Sequence, residues 1–180
     1  NFNLAIDAGA SQAVKVSSPV NILSTGVLTV TSNVASIHSY VSFDDGLNAT
    51  APSEVRLDGS INTDVMPINL SHLTLIGDGS QPSLLLTTGI SVFSGGPITI
   101  ASLDTGIGML SYHAGTIGSL TVQGDANIGV GLSGTGIDGS GDLNINGNAT
   151  VGSNVIVHHG DQNYAENVTL TGDVNFEGNT

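Results

Sequence analysis

Three nine-residue stretches of this chain are near copies of one another: LTVQGDANI at Leu120–Ile128, LNINGNATV at Leu143–Val151 and VTLTGDVNF at Val168–Phe176. Each has apolar residues at positions 1, 3, 7 and 9, glycine at position 5 and polar residues between. Alternation with period two describes a strand that buries one face. A glycine on the buried phase marks a bend or a close approach of two backbones. The copies begin 23 and 25 residues apart. Units of this length cannot bury an apolar face alone, so neighbouring units must stack.

Weaker copies extend the pattern backwards. They start at Ile98 (ITIAS), Leu73 (LTLIG), Val55 (VRLDGSI), Leu28 (LTVTSNV) and Phe2 (NFNLAID), with a further strand expected in LLLTTGISVF at Leu84–Phe93. These starts imply an all-β β-solenoid of about eight turns of roughly 24 residues. At roughly 4.8 Å per turn, the rod would be about 35–40 Å long. The alternative is a β-sandwich, in which a donated strand would complete the sheet; a sandwich gives no reason for the recurring glycine. The runs DDGLNATAPSE at Asp44–Glu54 and HHGDQNYAEN at His158–Asn167 are expected to protrude as loops. No compositional break divides the chain, so residues 1–180 form a single elongated repeat domain, which could be a segment of a longer array.

Composition agrees with a turn-rich β chain: 25 glycines, 9% charged residues and no amphipathic helical pattern. Fifteen carboxylates face only Lys15 and Arg56, a formal charge of −13, so at most two ion pairs with these cations could form. Nucleic acid is not an expected partner, because neutralising phosphates requires Lys and Arg. Attraction to anionic membranes is not expected on the same ground. No apolar run of 18 residues occurs, so membrane insertion is not expected either. Cysteine is absent, which rules out disulfides and thiolate metal sites.

Few residues invite chemistry. GTGIDGSGDL at Gly134–Leu143 partly follows the Gly/Asp-rich nonapeptide that binds calcium between turns of a β-roll. Asp138 and Asp142, with Asp125 one turn away, would then share a hard cation through carboxylate oxygens. The competing explanation is that Gly and Asp simply make the corner. No resident cofactor is expected, and calcium is the one ion this run admits. His158 and His159 lie beside Asp161 and Glu166, but adjacent strand residues point to opposite faces and so do not share one ion. Asn48, Asn69, Asn148 and Asn167 each begin an Asn-x-Ser/Thr triplet. An enzyme is not expected. A polysaccharide-processing β-helix would need clustered carboxylates, cations and aromatic platforms, whereas Trp is absent and the two cations are far apart in sequence.

The segments TLTGDVNFEGNT at Thr169–Thr180 and DLNINGNATVGSNVIV at Asp142–Val157 resemble β-helical passengers of bacterial autotransporters and filamentous-haemagglutinin-like exoproteins, with rickettsial surface antigens nearest in character. The resemblance is compositional, is clearest in the C-terminal third and transfers no functional residue. It implies an extracellular, cell-surface or secreted structural protein. Both ends of the sequence fall in strand phase without polar caps, which suggests a continuing chain or another subunit beyond them. Self-association into a filament or layer is therefore the leading expectation, with copies of the chain as partners. The N-terminal stretch, with Phe2, Leu4, Ile6, Val14 and Val16, is the candidate donated strand. A monomeric stalk or adhesin that holds a host or cell-surface ligand is the alternative.

Overall fold

The computed structural model describes residues 4–16, 20–22, 28–37, 41–43, 46–57, 61–63, 66–75, 84–87, 96–106, 109–114, 118–129 and 135–178. Nineteen strands and no helix occur among them. The first sheet runs in the order β1 (Leu4–Val16), β3 (Leu28–Ile37), β5 (Leu47–Leu57), β7 (Ile68–Leu75), β9 (Ile98–Asp104), β11 (Ser119–Val122), β14 (Asp142–Ile145) and β17 (Gln162–Tyr164). Beside that path, β12 (Ala126–Ile128), β15 (Ala149–Val151) and β18 (Val168–Leu170) continue the sheet from β9. The second sheet runs β2 (Val20–Ile22), β4 (Val41–Phe43), β6 (Ile61–Thr63), β8 (Leu84–Thr87), β10 (Leu110–His113), β13 (Thr135–Ser140), β16 (Asn154–His158) and β19 (Phe176–Glu177).

Every strand pairing is parallel. Each winding visits both sheets and lies on the winding before it. The fold is a β-solenoid. Its strands alternate buried and outward residues, as in Ile68–Leu75 and Leu110–His113. The inward set is almost wholly Leu, Ile, Val and Ala, which suit a pleated, half-buried surface. Each fully buried Leu or Ile contributes about 1.5–3 kcal/mol relative to exposure.

Two columns of paired positions run the length of the first sheet. One joins Leu4, Leu28, Leu47, Ile68, Ile98, Leu120, Leu143 and Gln162. The other joins Val14, Ala35, Val55, Leu73, Leu103, Ala126, Ala149 and Val168. The sequence pattern had merged them. Ile98, Leu120 and Leu143 do stack as expected, but Val168 lies under Ala149 rather than Leu143. Val55 and Leu73 likewise belong to the second column. The reason is the length of the last winding. Leu143 and Gln162 are 19 residues apart, whereas Ile68 and Ile98 are 30 apart. The alternating motif spans the corner between the columns, so either half of it can be matched.

The expected loops are corrected as well. Leu47–Leu57 is β5, and Gln162–Tyr164 is β17. Asn48 and Asn163 take the outward phase of these strands, whereas His159, Gly160 and residues 165–167 do lie in turns between strands; Asp44 and Asp45 lie outside the described residues. The anticipated strand within Leu84–Phe93 is present as Leu84–Thr87.

The recurring glycine has a steric cause. Gly147 sits at the corner between β14 and β15 and donates its N–H to the Gly124 carbonyl at 3.1 Å. A Cβ on Gly147 would run into the backbone of Gly124 and Asp125. Gly124 itself donates to Ala101 O at 2.7 Å. Successive backbones meet face to face there, and no side chain fits. In the second sheet a different fit operates. Tyr112, 2% exposed, lies across Gly139 and donates its hydroxyl to Gly141 O at 2.6 Å. Burial pushes this phenol far above its ordinary pKa, with smaller contributions from the Asp142, Tyr164 and Asp138 charges.

Candidate functional site

The windings in the middle of the rod hide their apolar edges, but the last described winding does not. β17, β18 and β19 each have a strand neighbour on one side only. Val168 is 40% exposed, Leu170 55% and Phe176 40%, whereas their neighbours one winding back, Ala149, Val151 and Val155, are at most 1% exposed. These are interior-type side chains in interior positions, and among the described residues no further strand lies over them. Unpaired backbone N–H and C=O groups along the same edge form a template for another strand.

Half of this edge is closed. Gln162 stands where Leu120 and Leu143 stand in earlier windings. Its amide nitrogen donates to Glu177 O at 2.8 Å and Val155 O at 3.0 Å, reaching across to the second sheet. The Tyr164 hydroxyl donates to Gln162 Oε1 at 2.9 Å, and its ring meets Phe176 edge-on with centroids 5.6 Å apart. Burial raises the Tyr164 phenol pKa. Asp161, Gln162, Tyr164, Phe176 and Gly178 line a cavity of about 370 Å³ at this end. The other half, Val168 and Leu170, lies open.

At the opposite margin β1 pairs with β3 alone. Leu4 and Val14 head the two columns of paired positions, and Ile6 and Val14 pack half-buried against the core. Val16 pairs with Ile37. β1 is therefore stacked as a winding of the solenoid itself; Phe2 lies outside the described residues.

The three aspartates are assigned to separate tasks. Asp125, at the corner between β11 and β12, accepts from the Asn148 N–H at 2.8 Å and the Asn148 amide at 3.2 Å. Asp142, at the start of β14, accepts from the Asp161 N–H at 2.9 Å. Asp138, on β13 in the second sheet, approaches His158 Nε2 at 3.2 Å. Their carboxylates join one winding to the next. No group of three or more His, Cys, Asp or Glu arranged to hold a metal ion occurs among the described residues. His159 is exposed, with a left-handed φ of 59° at the turn after β16.

Outward amides make similar ties. Asn163 donates to Asn144 Oδ1 at 2.9 Å, and Asn167 to Asn148 Oδ1 at 3.2 Å. Sequence reasoning missed these ladders, although Asn at positions 2, 4 or 6 of the repeat was the available signal. Of the two cations, Arg56 meets Glu54 at 3.0 Å and Lys15 is exposed. No protein-family model, curated protein or solved structure matches the chain.

Proposed function

We propose that this chain is an extracellular structural subunit that associates head to tail, the last winding of one copy receiving β1 of the next. The open apolar edge at Val168 and Leu170 carries this reading. Both columns of the first sheet continue across such a junction. Leu4 of the next copy would follow Gln162, Ile6 would follow Tyr164, Val14 would follow Val168 and Val16 would follow Leu170, extending the register that runs from β1 to β17 and β18. β1 then acts as a stacked edge strand while it remains part of its own rod. A head-to-tail contact of this kind does not close on itself, so it propagates into a filament. A surface or secreted location suits a chain with only two trypsin-type cleavage points, Lys15 and Arg56, and no cysteine.

A formal charge of −13 per copy opposes the contact, and salt screens that repulsion. Sedimentation should therefore show assemblies that grow with protein concentration and with added salt. The decisive form of the experiment is a Lys15→Cys/Thr169→Cys chain. Both residues point outward and would be rung neighbours only across the junction. Oxidation should give a ladder of covalent oligomers, because paired Cα atoms lie within disulfide reach. A chain that stays monomeric at high salt and concentration, with no cross-linked dimer, would leave the monomeric stalk as the better account.

A further inference from the structure

The outer face of the first sheet has a notch that the stacking of windings does not require. In β5 four residues, Thr50–Ser53, separate the paired positions Ala49 and Glu54, whereas in β7 only Ser71 separates their partners Leu70 and His72. β9 is equally tight, with only Ala101 between Ile100 and Ser102. One winding further, Gln123, Gly124 and Asp125 again bulge between the paired residues Val122 and Ala126. Two flat windings thus lie between two that project. The resulting groove has a volume of about 430 Å³. Leu70, Ser71 and Ala101 line it with Asn48, Thr50, Asn69, Thr99 and Gln123.

Its chemistry is uniform. The described lining presents amides, hydroxyls and the exposed Ala101 methyl, and no ionisable group; Leu70, 1% exposed, belongs to the core behind it. The Thr50 hydroxyl donates to Asn48 Oδ1 at 2.9 Å. Ser71 differs from the rest. It is only 7% exposed, and its Oγ is one of two buried side-chain oxygens without a hydrogen-bond partner among the described residues. A buried hydroxyl without a partner destabilises a fold by about 1–3 kcal/mol, and such a group in a native structure calls for an explanation. A ligand that supplies the missing partner is such an explanation.

We infer that this groove binds a neutral oligosaccharide. An ionised ligand would lose hydration there and gain no countercharge, while the net charge of −13 repels anions at longer range. An extended peptide is disfavoured because β5, β7 and β9 are each paired on both sides, which leaves no backbone edge for strand addition. Recognition must come from side chains alone. Clustered amides and hydroxyls, each able to donate and accept, match the paired hydroxyls of a sugar ring. The exposed Ala101 methyl meets its C–H face. The triplets Asn48-Ala49-Thr50 and Asn69-Leu70-Ser71 gain a second meaning here, because residues two apart on a strand share a face and all four polar members line one groove. The inference stands whether or not copies associate.

The test is calorimetric titration and amide-shift mapping of the intact chain with neutral oligosaccharides of glucose, mannose, galactose and N-acetylglucosamine. Oligogalacturonate and a neutral Ser/Thr-rich peptide serve as comparators. At least one neutral sugar should bind and shift Asn69, Ser71 and Gln123. Ser71→Ala and Gln123→Ala should each weaken it about tenfold, the worth of one hydrogen bond. Ser71→Ala should leave thermal stability equal or higher, since it removes a hydroxyl with no partner in the free protein. That combination separates a ligand contact from a structural role. Binding of none of the sugars, binding unaffected by both substitutions, or tighter binding of the peptide or the acidic glycan would overturn the inference.

Discussion

Replacing Gly139 with alanine tests the packing logic of the rod at one contact. The new methyl would occupy the space of the Tyr112 ring. Tyr112 is buried on β10, which is paired with β8 on one side and β13 on the other, so the ring can leave only by disturbing a neighbouring winding. Displacement loses the 2.6 Å bond from its hydroxyl to Gly141 O, about 1 kcal/mol. Overpacking adds about 1–3 kcal/mol. The gain from removing a strand glycine offsets about 0.5–1 kcal/mol. Gly139→Ala should therefore destabilise by about 1–3 kcal/mol, read as a lower urea midpoint in far-UV circular dichroism. Tyr112→Leu alone should also destabilise, because it leaves space above Gly139. Combined, the two substitutions should partly rescue one another, with a coupling of at least about 1 kcal/mol. Additivity within about 0.5 kcal/mol would refute the fit between ring and glycine.

Leu120→Ala, at a fully buried site in the first column, should cost about 2–5 kcal/mol in urea unfolding. Leu170→Ser, at a side chain 55% exposed, should cost under about 1 kcal/mol in the monomer yet weaken assembly seen by sedimentation. At high pH the raised Tyr112 and Tyr164 pKa values mean that the folded chain holds phenolic protons that the unfolded chain releases. Stability should hold below the ordinary tyrosine value of 10.0 and fall above it, and tyrosinate absorbance should rise together with unfolding. Glu54 titrates in the opposite sense. Burial pushes its carboxyl up, but hydrogen bonds from Thr74 and Arg56 and the charges of Arg56 and His72 outweigh this and leave it below 4.5. Its contribution is present above that value and lost as pH falls through the lowered one. Glu54→Gln should cost under about 1 kcal/mol at neutral pH and nothing in strong acid, as measured by urea midpoints across the range.

The class of fold was legible because a period-two pattern repeated with a glycine admits few architectures. The register was not. Leu143-Asn-Ile and Val168-Thr-Leu look alike because both are strands of one sheet, yet they lie on either side of its corner. Only backbone pairing distinguishes a winding of 19 residues from one of 25. Gln162 also broke the pattern, since a polar residue in an apolar column shows its role only when its carbonyl partners on the second sheet are known. The aspartates were visible as corner residues, whereas their backbone partners lie 19 and 23 residues away. The groove was not legible at all. It depends on a difference in bulge length between neighbouring windings, which side-chain chemistry does not record.

The stacking register can be tested directly in this cysteine-free chain by comparing two engineered pairs. Thr150→Cys/Thr169→Cys joins residues paired in β15 and β18, and should oxidise readily to an intramolecular disulfide. Asn144→Cys/Thr169→Cys joins the positions that the sequence repeat alone would stack, and should remain reduced as a monomer. A disulfide in the second pair with none in the first would contradict the two-column solenoid and everything built on its open end.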